Sequence, residues 1–405
     1  MALCTLLGCP AFLSDDRQIA PDGGAGEDAK ADGPIGDDAS DGRGTGDATD
    51  GGLADGTDAA AFDGPPGDAG DASMADSASD GGCPVNMPDV CNGVCVDRQT
   101  DARNCGSCGR DCLAGTCASG SCQPIVLVST LNNPTHIAVD ATNVYWLNHG
   151  DNINKVPIGG GSSTPLVSGL STQLIALAVD ATNVYYAIYN PGSISSVPIA
   201  GGTATPLVTG SYNPAGIAIA NGSVYFSDQF NTSTGTIYSV PTGGGSIQTL
   251  AGAGQNPGPI AADSTNVYWS SALGCSNQSP VFRMALDGGS PVALATNQQC
   301  PPSIAIDATF IFYSEFTIGG VKKVPIAGGS VTPLTTASAG VVLVDATHVY
   351  WNGANGGIYK MLKTGGATTT IVTGQTIGGL ALDGSYVYWT NNIASPGGSV
   401  RKVAK

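Results

Sequence analysis

Short runs of alternating apolar and polar residues follow one another from residue 124 onward. The run IAVDATNVYW at 137–146 joins two of them through an Asp-Ala-Thr-Asn turn, and related copies begin at residues 177, 217, 260, 304, 342 and 380. Alternation with a period of two predicts half-buried strands. Asp and Asn favour the turn between them because their short side chains bond the local backbone. The chain therefore repeats a strand-turn-strand unit seven times.

The repeat has a period near 40 residues, because the position of Asp140 returns as Asp180, Ala220, Asp263, Asp307, Asp345 and Asp383. Each unit continues with a third segment that ends in a Gly pair, such as NKVPIGGG at 154–161. A fourth apolar run follows, such as TPLVSG at 164–169. Four strands per period, with no room for a helix, predict the blades of a β-propeller.

The two ends of the repeat region predict how the ring closes. The seventh repeat stops after its third strand, at VRKVAK (400–405), and PIVLVST (124–130) precedes the first repeat. Pairing these segments would complete the seventh blade and remove the free sheet edges of an open array. We therefore predict an all-β fold in which residues 124–405 form a seven-bladed propeller of four-stranded blades, closed by the N-terminal strand.

The repeat core resembles that of the YWTD and NHL-type propellers. The resemblance is carried by Ile-Ala-Val-Asp140 with Val-Tyr-Trp146, and by Leu380-Ala-Leu-Asp383 with Tyr388-Trp389-Thr390-Asn391. It extends over 124–405 and implies the propeller fold. For function it implies a binding module for proteins, glycans or small molecules, since only a few such propellers are enzymes. The acidic residue that follows Trp-Thr in that family is Asn391 here.

The framework positions of the repeat are predicted to be structural. The four Trp residues share one repeat position, which Tyr186, Phe226 and Tyr313 fill in the other blades, and a position used by every blade indicates packing. The Asp series that ends at Asp383 is predicted to cap turns. The four Trp residues are Trp146, Trp269, Trp351 and Trp389.

The net charge of -17 comes mainly from residues 1–82, which hold 18 acidic and three basic residues. The propeller region holds ten acidic and nine basic residues, so it lacks the basic surface that nucleic-acid binding requires. Residues 14–82 consist mostly of Asp, Gly, Ala and Ser, a composition that predicts a disordered linker. The alternative is that its regularly spaced Asp residues collect calcium.

The first segment, residues 1–13, begins MALCTLLGC. It resembles the lipobox of bacterial lipoproteins at Leu6, Gly8 and Cys9, which implies lipidation of Cys9. The alternative is a secretory remnant of another type. We expect an exported protein held to the cell surface or outer membrane by a lipid anchor alone, or otherwise secreted or periplasmic, since no apolar run has the length of a membrane-spanning helix.

Residues 83–123 form a predicted Cys-rich module. In an exported protein, eight cysteines in so short a segment predict four disulfides, of unspecified connectivity. The alternative is zinc, suggested by the Cys-Gly-Ser-Cys pair, although the segment has no His. The run CVDRQTDARNCGSCGRDC resembles modules that precede repeat domains in myxobacterial surface proteins. The cysteines are Cys83, Cys91, Cys95, Cys105, Cys108, Cys112, Cys117 and Cys122.

Two further cysteines lie in blade 4 of the predicted propeller. In a four-stranded blade, the loop after the second strand and the loop after the fourth strand lie on the same face of the ring. Cys275 is in a loop of the first kind and Cys300 is in a loop of the second kind. We therefore predict a Cys275–Cys300 disulfide across that face.

The same geometry separates two faces of the ring. The turns after the first and third strands hardly vary in length, and we call their side the uniform-turn face. The loops after the second and fourth strands vary in length and sequence, and we call their side the variable-loop face. Variable loops on a rigid scaffold commonly carry binding sites.

Aromatic and amide side chains of blades 2 and 3 form the predicted binding site on the variable-loop face. Aromatic faces beside amides suit a neutral polyhydroxyl ligand such as a glycan, or a protein partner. The alternative is that these side chains only shield strand ends. The residues are Tyr189, Asn190, Tyr212, Asn213, Gln229, Phe230 and Asn231.

Two other classes of function are open. A metal-dependent propeller lyase or hydrolase would need His and carboxylate side chains that converge at the channel mouth. The best available set is His136, His149, Asp228 and Glu315, which follow no diagnostic spacing, and we predict no cofactor. The third class is a structural surface protein without a specific ligand. The sequence indicates neither the ligand nor an oligomeric state.

Overall fold

The computed structural model describes residues 82–148, 152–170, 174–210, 212–229, 235–251, 256–271, 279–315 and 319–405. Cys9 and all of the predicted linker except its last residue lie outside these ranges. The described residues form an all-β structure with one short 3-10 helix, Ala354–Gly356. None of the helices in this part of the chain has the length and apolar character needed to cross a bilayer.

Blades 1 to 4 are four-stranded antiparallel sheets whose strands follow chain order from the innermost to the outermost. Blade 1 comprises Pro134–Val139, Asn143–Asn148, Asn152–Pro157 and Thr164–Val167. Blade 2 comprises Leu174–Val179, Asn183–Ile188, Ser193–Pro198 and Thr205–Thr209. Blade 3 comprises Pro214–Ala220, Ser223–Asp228, Thr236–Pro241 and Gln248–Ala251. Blade 4 comprises Pro257–Ala262, Asn266–Ser271, Ser279–Ala285 and Val292–Gln298.

Blades 5 and 6 repeat this order, and blade 7 takes its outer strand from the start of the propeller region. Blade 5 comprises Ile304–Ile306, Phe310–Glu315, Gly320–Pro325 and Thr332–Thr335. Blade 6 comprises Ala339–Val344, His348–Gly353, Gly357–Leu362 and Thr369–Val372. Blade 7 comprises Ile377–Leu382, Tyr386–Asn391, Gly398–Ala404 and Ile125–Leu131.

The N-terminal strand closes the ring as the sequence predicts. Strand Ile125–Leu131 pairs antiparallel with Gly398–Ala404, in a register that places Ile125 opposite Lys402 and Leu131 opposite Gly398. The innermost strand of blade 7 also contacts the innermost strand of blade 1. The predicted count of seven four-stranded blades is confirmed.

The aromatic residues of the second strands form the core, as predicted. All four Trp side chains are at most 1% exposed. Several of these aromatic rings stack on an aromatic residue of the neighbouring third strand, with centroids 5.3 Å apart for Trp269 and Phe282 and 5.8 Å apart for Trp351 and Tyr359. Stacked pairs add about 0.5–1.5 kcal/mol to the burial of their area.

The Asp residues of the repeat cap turns, which confirms their predicted role. In blade 1, Asp140 Oδ1 accepts hydrogen bonds from the backbone N–H of Thr142 and of Asn143, both at 2.7 Å. Asp140 Oδ2 accepts a hydrogen bond from the Tyr145 hydroxyl at 2.7 Å. Four further pairs repeat the Tyr-to-Asp bond: Tyr185 with Asp180, Tyr268 with Asp263, Tyr350 with Asp345 and Tyr388 with Asp383.

Four disulfides hold the Cys-rich module, which confirms the disulfide prediction and supplies the connectivity: Cys83–Cys95, Cys91–Cys108, Cys105–Cys117 and Cys112–Cys122. Among the described residues, three potential metal ligands come within 4.8 Å of one another in one group, which consists of Cys105, Cys112 and Cys122. All three cysteines are in disulfides. Disulfide formation therefore explains why these potential zinc ligands lie close together.

The module contacts the propeller at blade 7. The Tyr386 hydroxyl donates a hydrogen bond to the backbone oxygen of Leu113 at 2.6 Å. Tyr386 begins the second strand of blade 7, directly after a turn of the uniform-turn face. Strand Ile125–Leu131 also begins at this face, opposite Lys402, and ends at the variable-loop face. The module and the chain that leads into the propeller are therefore both on the uniform-turn face.

Of the two cysteines in the predicted disulfide of blade 4, one is among the described residues. Cys300 is disulfide-bonded. Its predicted partner, Cys275, lies outside the described residues, so the Cys275–Cys300 pairing stays a prediction.

Candidate functional site

The innermost strand of each blade pairs with one neighbour only, so its other edge faces the central channel. In six blades, one extra residue near the start of this strand shifts its register against the second strand. Such a bulge bends the strand locally and re-aims side chains. In blade 5 the innermost strand begins only at Ile304, after Pro302 and Ser303. Backbone that does not pair within its blade is thereby brought to the rim of the channel.

A cavity of about 660 Å³ occupies the half of the channel nearer the variable-loop face, and every blade lines it. Its volume falls within the range of about 300–1,000 Å³ that is usual for small-ligand pockets. One residue near the start of each innermost strand lines it, in chain order: His136, Ile175, Ala215, Pro259, Ser303, Gly340 and Gly378.

Gly340 and Gly378 line the cavity in blades 6 and 7. Packing requires glycine at both positions. A Cβ on Gly340 would lie 2.7 Å from Asn352 Oδ1, which accepts a hydrogen bond from the backbone N–H of Val341 at 2.6 Å. A Cβ on Gly378 would lie 2.6 Å from the backbone oxygen of Pro134. Close contacts with these neighbours therefore exclude larger residues at both positions.

Polar and apolar groups occupy different depths of the cavity. Asn352, Gln375, Thr376 and Asn392 line it at the variable-loop face. The deepest lining residues in five of the blades are apolar and share the first position of the Ile-Ala-Val-Asp repeat: Ile137, Leu177, Ile217, Ile260 and Leu380. The cavity thus has an amide-rich rim and an apolar floor.

His136 is the only ionisable side chain among the described residues that line the cavity. It is half-buried, with Nδ1 3.4 Å from Thr135 Oγ1. The channel walls remove most of its hydration, and this desolvation lowers the pKa of His136 to about 4. The imidazole is therefore neutral at pH 7, with one donor and one acceptor nitrogen.

The carboxylates predicted for a metal-dependent enzyme make internal bonds instead. Asp228 Oδ1 accepts a hydrogen bond from the backbone N–H of Asn213 at 2.7 Å, and Glu315 Oε1 accepts one from Gln299 at 3.1 Å. Glu315 Oε2 also forms an ion pair with Lys322 at 2.8 Å. Both carboxylates end a second strand and fix the loop that leads into the first strand of their blade.

The four residues proposed for a metal-dependent enzyme do not form a single cluster among the described residues. His136 belongs to blade 1, Asp228 to blade 3 and Glu315 to blade 5, and His149 lies outside the described residues. Asn391 occupies the position of Asp228 and Glu315 in blade 7, and its Oδ1 accepts a hydrogen bond from the backbone N–H of Thr376 at 2.8 Å. The Asn391 amide oxygen accepts the same kind of hydrogen bond as the two carboxylates, which indicates a structural role for this position.

A series of buried hydroxyls, missed in the sequence reasoning, joins neighbouring blades. Ser227 donates to the backbone oxygen of Gly258 at 2.7 Å, and Ser270 donates to that of Pro301 at 2.8 Å. Ser314 bonds the oxygen of Gly340 at 2.5 Å in the same way, and Thr390 bonds that of Thr135. The signal was the Ser or Thr that directly follows the core aromatic residue in these four repeats.

Tyr212, one of the predicted binding residues, packs into an aromatic cluster of blade 3. Its ring contacts Phe226 and Tyr238 edge-on, with centroids 5.7 and 5.4 Å apart. It remains half-buried, and burial raises its pKa. The Tyr212 ring therefore contributes to packing whether or not it also meets a ligand.

The other predicted binding residues differ in how firmly they are held. Tyr189 is half-buried, and Asn190 is exposed. Asn213 is fixed by Asp228, and Gln229 Nε2 donates to the backbone oxygen of Pro257 at 2.9 Å. Phe230 and Asn231 lie outside the described residues, so the predicted binding patch as a whole stays a prediction.

No protein-family model and no curated protein sequence matches the chain. Among solved structures it is similar to U3-55K, with 11% identity over 70% of this chain and 98% of that one and a TM-score of 0.58. It is similar to the computationally designed Ika8 protein, with 15% identity, coverage of 69% and 98%, and a TM-score of 0.52. A chain of a nidogen/laminin complex is 19% identical, with coverage of 55% and 90% and a TM-score of 0.46. The fold places the chain in the class of seven-bladed repeat β-propellers, an architecture typical of binding and scaffolding proteins.

Proposed function

We propose that this chain is an exported binding protein, tethered through its N-terminal segment, whose variable-loop face binds a neutral, hydroxyl-rich ligand of the glycan class. The observation that carries the proposal is the cavity at the centre of that face, whose described lining residues carry amide side chains at the rim and no charged side chain at neutral pH. Uncharged donors and acceptors suit hydroxyl groups, because neither partner then buries an unpaired charge.

The side from which the chain enters the propeller also supports ligand binding at the variable-loop face. The chain enters the propeller from the uniform-turn face, where Tyr386 holds Leu113 of the module. The module therefore contacts the propeller on the face opposite the variable loops. The four disulfides suit an oxidising, extracellular or periplasmic compartment, where glycans of cell surfaces are available.

The metal-dependent enzyme is the weaker candidate because Asp228 and Glu315 already have internal partners. A central channel is common to β-propellers, so the channel alone does not separate a ligand-binding protein from a structural one. The amide side chains at its rim favour a ligand with hydroxyl groups.

A glycan array tests the proposal. We expect the full chain, purified with its disulfides intact, to bind selected neutral polysaccharides in preference to uronate-rich or sulfated ones. Tyr189→Ala and Asn190→Ala, in the exposed loop of blade 2, should weaken binding to extended chains. Leu362→Ala is a matched control, since Leu362 is 50% exposed on the uniform-turn side. An array without neutral glycan binding would refute the proposal.

A further inference from the structure

We infer that the channel mouth receives the uncharged end of a glycan chain that carries an acetamido group, that is, an N-acetylhexosamine-type terminus. The inference rests on the proposed function, since it assigns the ligand's terminal unit to a pocket on the same face. It goes beyond the loop residues of blades 2 and 3, because the pocket is built by the innermost strands of all seven blades.

The form of the cavity favours a chain end over the middle of a chain. Innermost strands surround it on every side, and the lining stops at the shared apolar position of the repeat, with residues such as Leu177 and Ile260. A polymer could reach that depth only with its terminus or with a protruding substituent.

The distribution of chemistry favours an acetamido substituent. The apolar residues at the inner end of the cavity, such as Leu177 and Ile260, would take the acetyl methyl group, because burying apolar surface is favourable. The Asn392 amide, and the amide nitrogen of Asn352, whose Oδ1 accepts from Val341, would meet the amide and hydroxyl groups nearer the rim. A protonated amino sugar or a uronate would have no opposite charge among the described lining residues, and burying its charge would carry a large desolvation cost.

His136 is placed to contact this terminus. It lies in the innermost strand of blade 1, which contacts the innermost strand of blade 7. A Cβ on Gly379 would come within 3.2 Å of the Cα of His136, so the glycine allows this close approach. A neutral imidazole can both donate to and accept from a sugar, and its lowered pKa keeps it in that form at neutral pH.

The chain has only three His residues, which makes the imidazole signals a direct readout. The full chain, labelled at histidine, would be titrated at pH 7 with N-acetylglucosamine, glucose and glucosamine, and the His136 signals assigned by their loss in His136→Gln. We expect N-acetylglucosamine to shift the His136 signals, and glucose and glucosamine to shift them far less. The signals of His348, on the uniform-turn face, should stay constant.

Two substitutions locate the effect. Ala215→Phe places a ring in the cavity and should abolish the His136 shift, whereas Ala200→Phe, the same change at an exposed turn of the uniform-turn face, should keep it. Equal His136 shifts with all three sugars, or none with N-acetylglucosamine, would overturn the pocket assignment. If the array still shows glycan binding in that case, the loops alone bind and the proposed function survives; if the array is also empty, both fail.

Discussion

Single side chains at the variable-loop face have two distinct tasks. The side-chain oxygens of Asp228, Glu315 and Asn391 accept hydrogen bonds from backbone N–H groups of nearby loops. Ser227 and Ser270 are completely buried and link each blade to the next. Polar residues with such partners stabilise the scaffold. The cavity lining adds the amides of Asn352 and Asn392 and the imidazole of His136, and Asn352 Oδ1 also accepts a hydrogen bond from the backbone N–H of Val341.

The Ser227 hydroxyl should stabilise the contact between blades 3 and 4. In Ser227→Ala, the buried backbone oxygen of Gly258 loses its donor, and we expect a loss of about 1–3 kcal/mol in the free energy of unfolding. Urea denaturation would measure it. Ser330→Ala, at an exposed turn, should change stability by less than about 0.5 kcal/mol. Equal effects of the two variants would contradict the role assigned to Ser227.

The imidazole of His136 should make stability depend on pH. Its pKa falls from 6.5 in the unfolded chain to about 4 in the channel, so the unfolded chain binds the proton first. The free energy of unfolding should therefore decrease as pH is lowered from about 6.5 to about 4, with no further loss from this group below that. The difference between wild type and His136→Gln isolates the pH dependence due to His136 from that due to the carboxylates and to His348. Parallel stability curves for the two proteins would show that His136 is not desolvated.

Strand pairing, at the scale of elements, depends on one apolar position of the closing strand. Leu127 is 8% exposed and packs with the core of blades 7 and 1, whereas Val126 of the same strand is 50% exposed. Leu127→Ala should cost about 2–5 kcal/mol and Val126→Ala much less. Chemical denaturation of both variants tests this. Similar losses would mean that closure depends on the backbone ladder more than on side-chain burial.

The repeat allowed the blades, their number and the closing strand to be predicted, because strand alternation and turn residues recur in every copy. The same regularity located the core Trp residues and the Asp turn caps. It could not reveal the cavity, since the bulges that build the rim involve residues as different as His136, Ala215 and Gly378. A bulge depends on the register between two strands, which leaves no fixed residue type in the sequence.

The candidate site depends on contacts of a related kind. The variable loops lie on the face where the cavity opens, yet sequence alone could not distinguish a free Tyr from one that packs like Tyr212. His136 was noticed as a metal candidate, and the structure gives it a different setting on the channel wall. Contacts between distant blades decide these roles.

The loops of blade 4 should be joined covalently. Cys300 is disulfide-bonded, and Cys275 is its predicted partner on the same face. Peptide mapping without reduction should recover one fragment that contains both residues. In Cys275→Ser, Cys300 should become reactive to a thiol reagent after unfolding, while the eight cysteines of the module should stay unreactive. Recovery of Cys300 joined to any other cysteine would refute the prediction.

At the scale of the whole molecule, the Cys-rich module and the cavity lie at opposite faces of the ring. The module and the entering chain use the uniform-turn face, through Leu113, Tyr386 and the start of the closing strand at Ile125. The cavity opens on the other face, at loops such as the one that contains Asn392. Tethering and ligand binding should then be independent of each other.

Replacing residues 1–81 with a folded globular domain tests this separation. We expect glycan binding to change by less than about twofold, because the fused domain would emerge on the face opposite the cavity, and twofold corresponds to only about 0.4 kcal/mol. Inserting the same domain at Ile393, an exposed residue of a variable loop, should abolish binding by covering the channel mouth. Binding would be measured by titration calorimetry with the best array ligand. Loss of binding in the N-terminal fusion, with retention in the loop insertion, would show that the ligand uses the uniform-turn face and would reverse the assignment of the two faces.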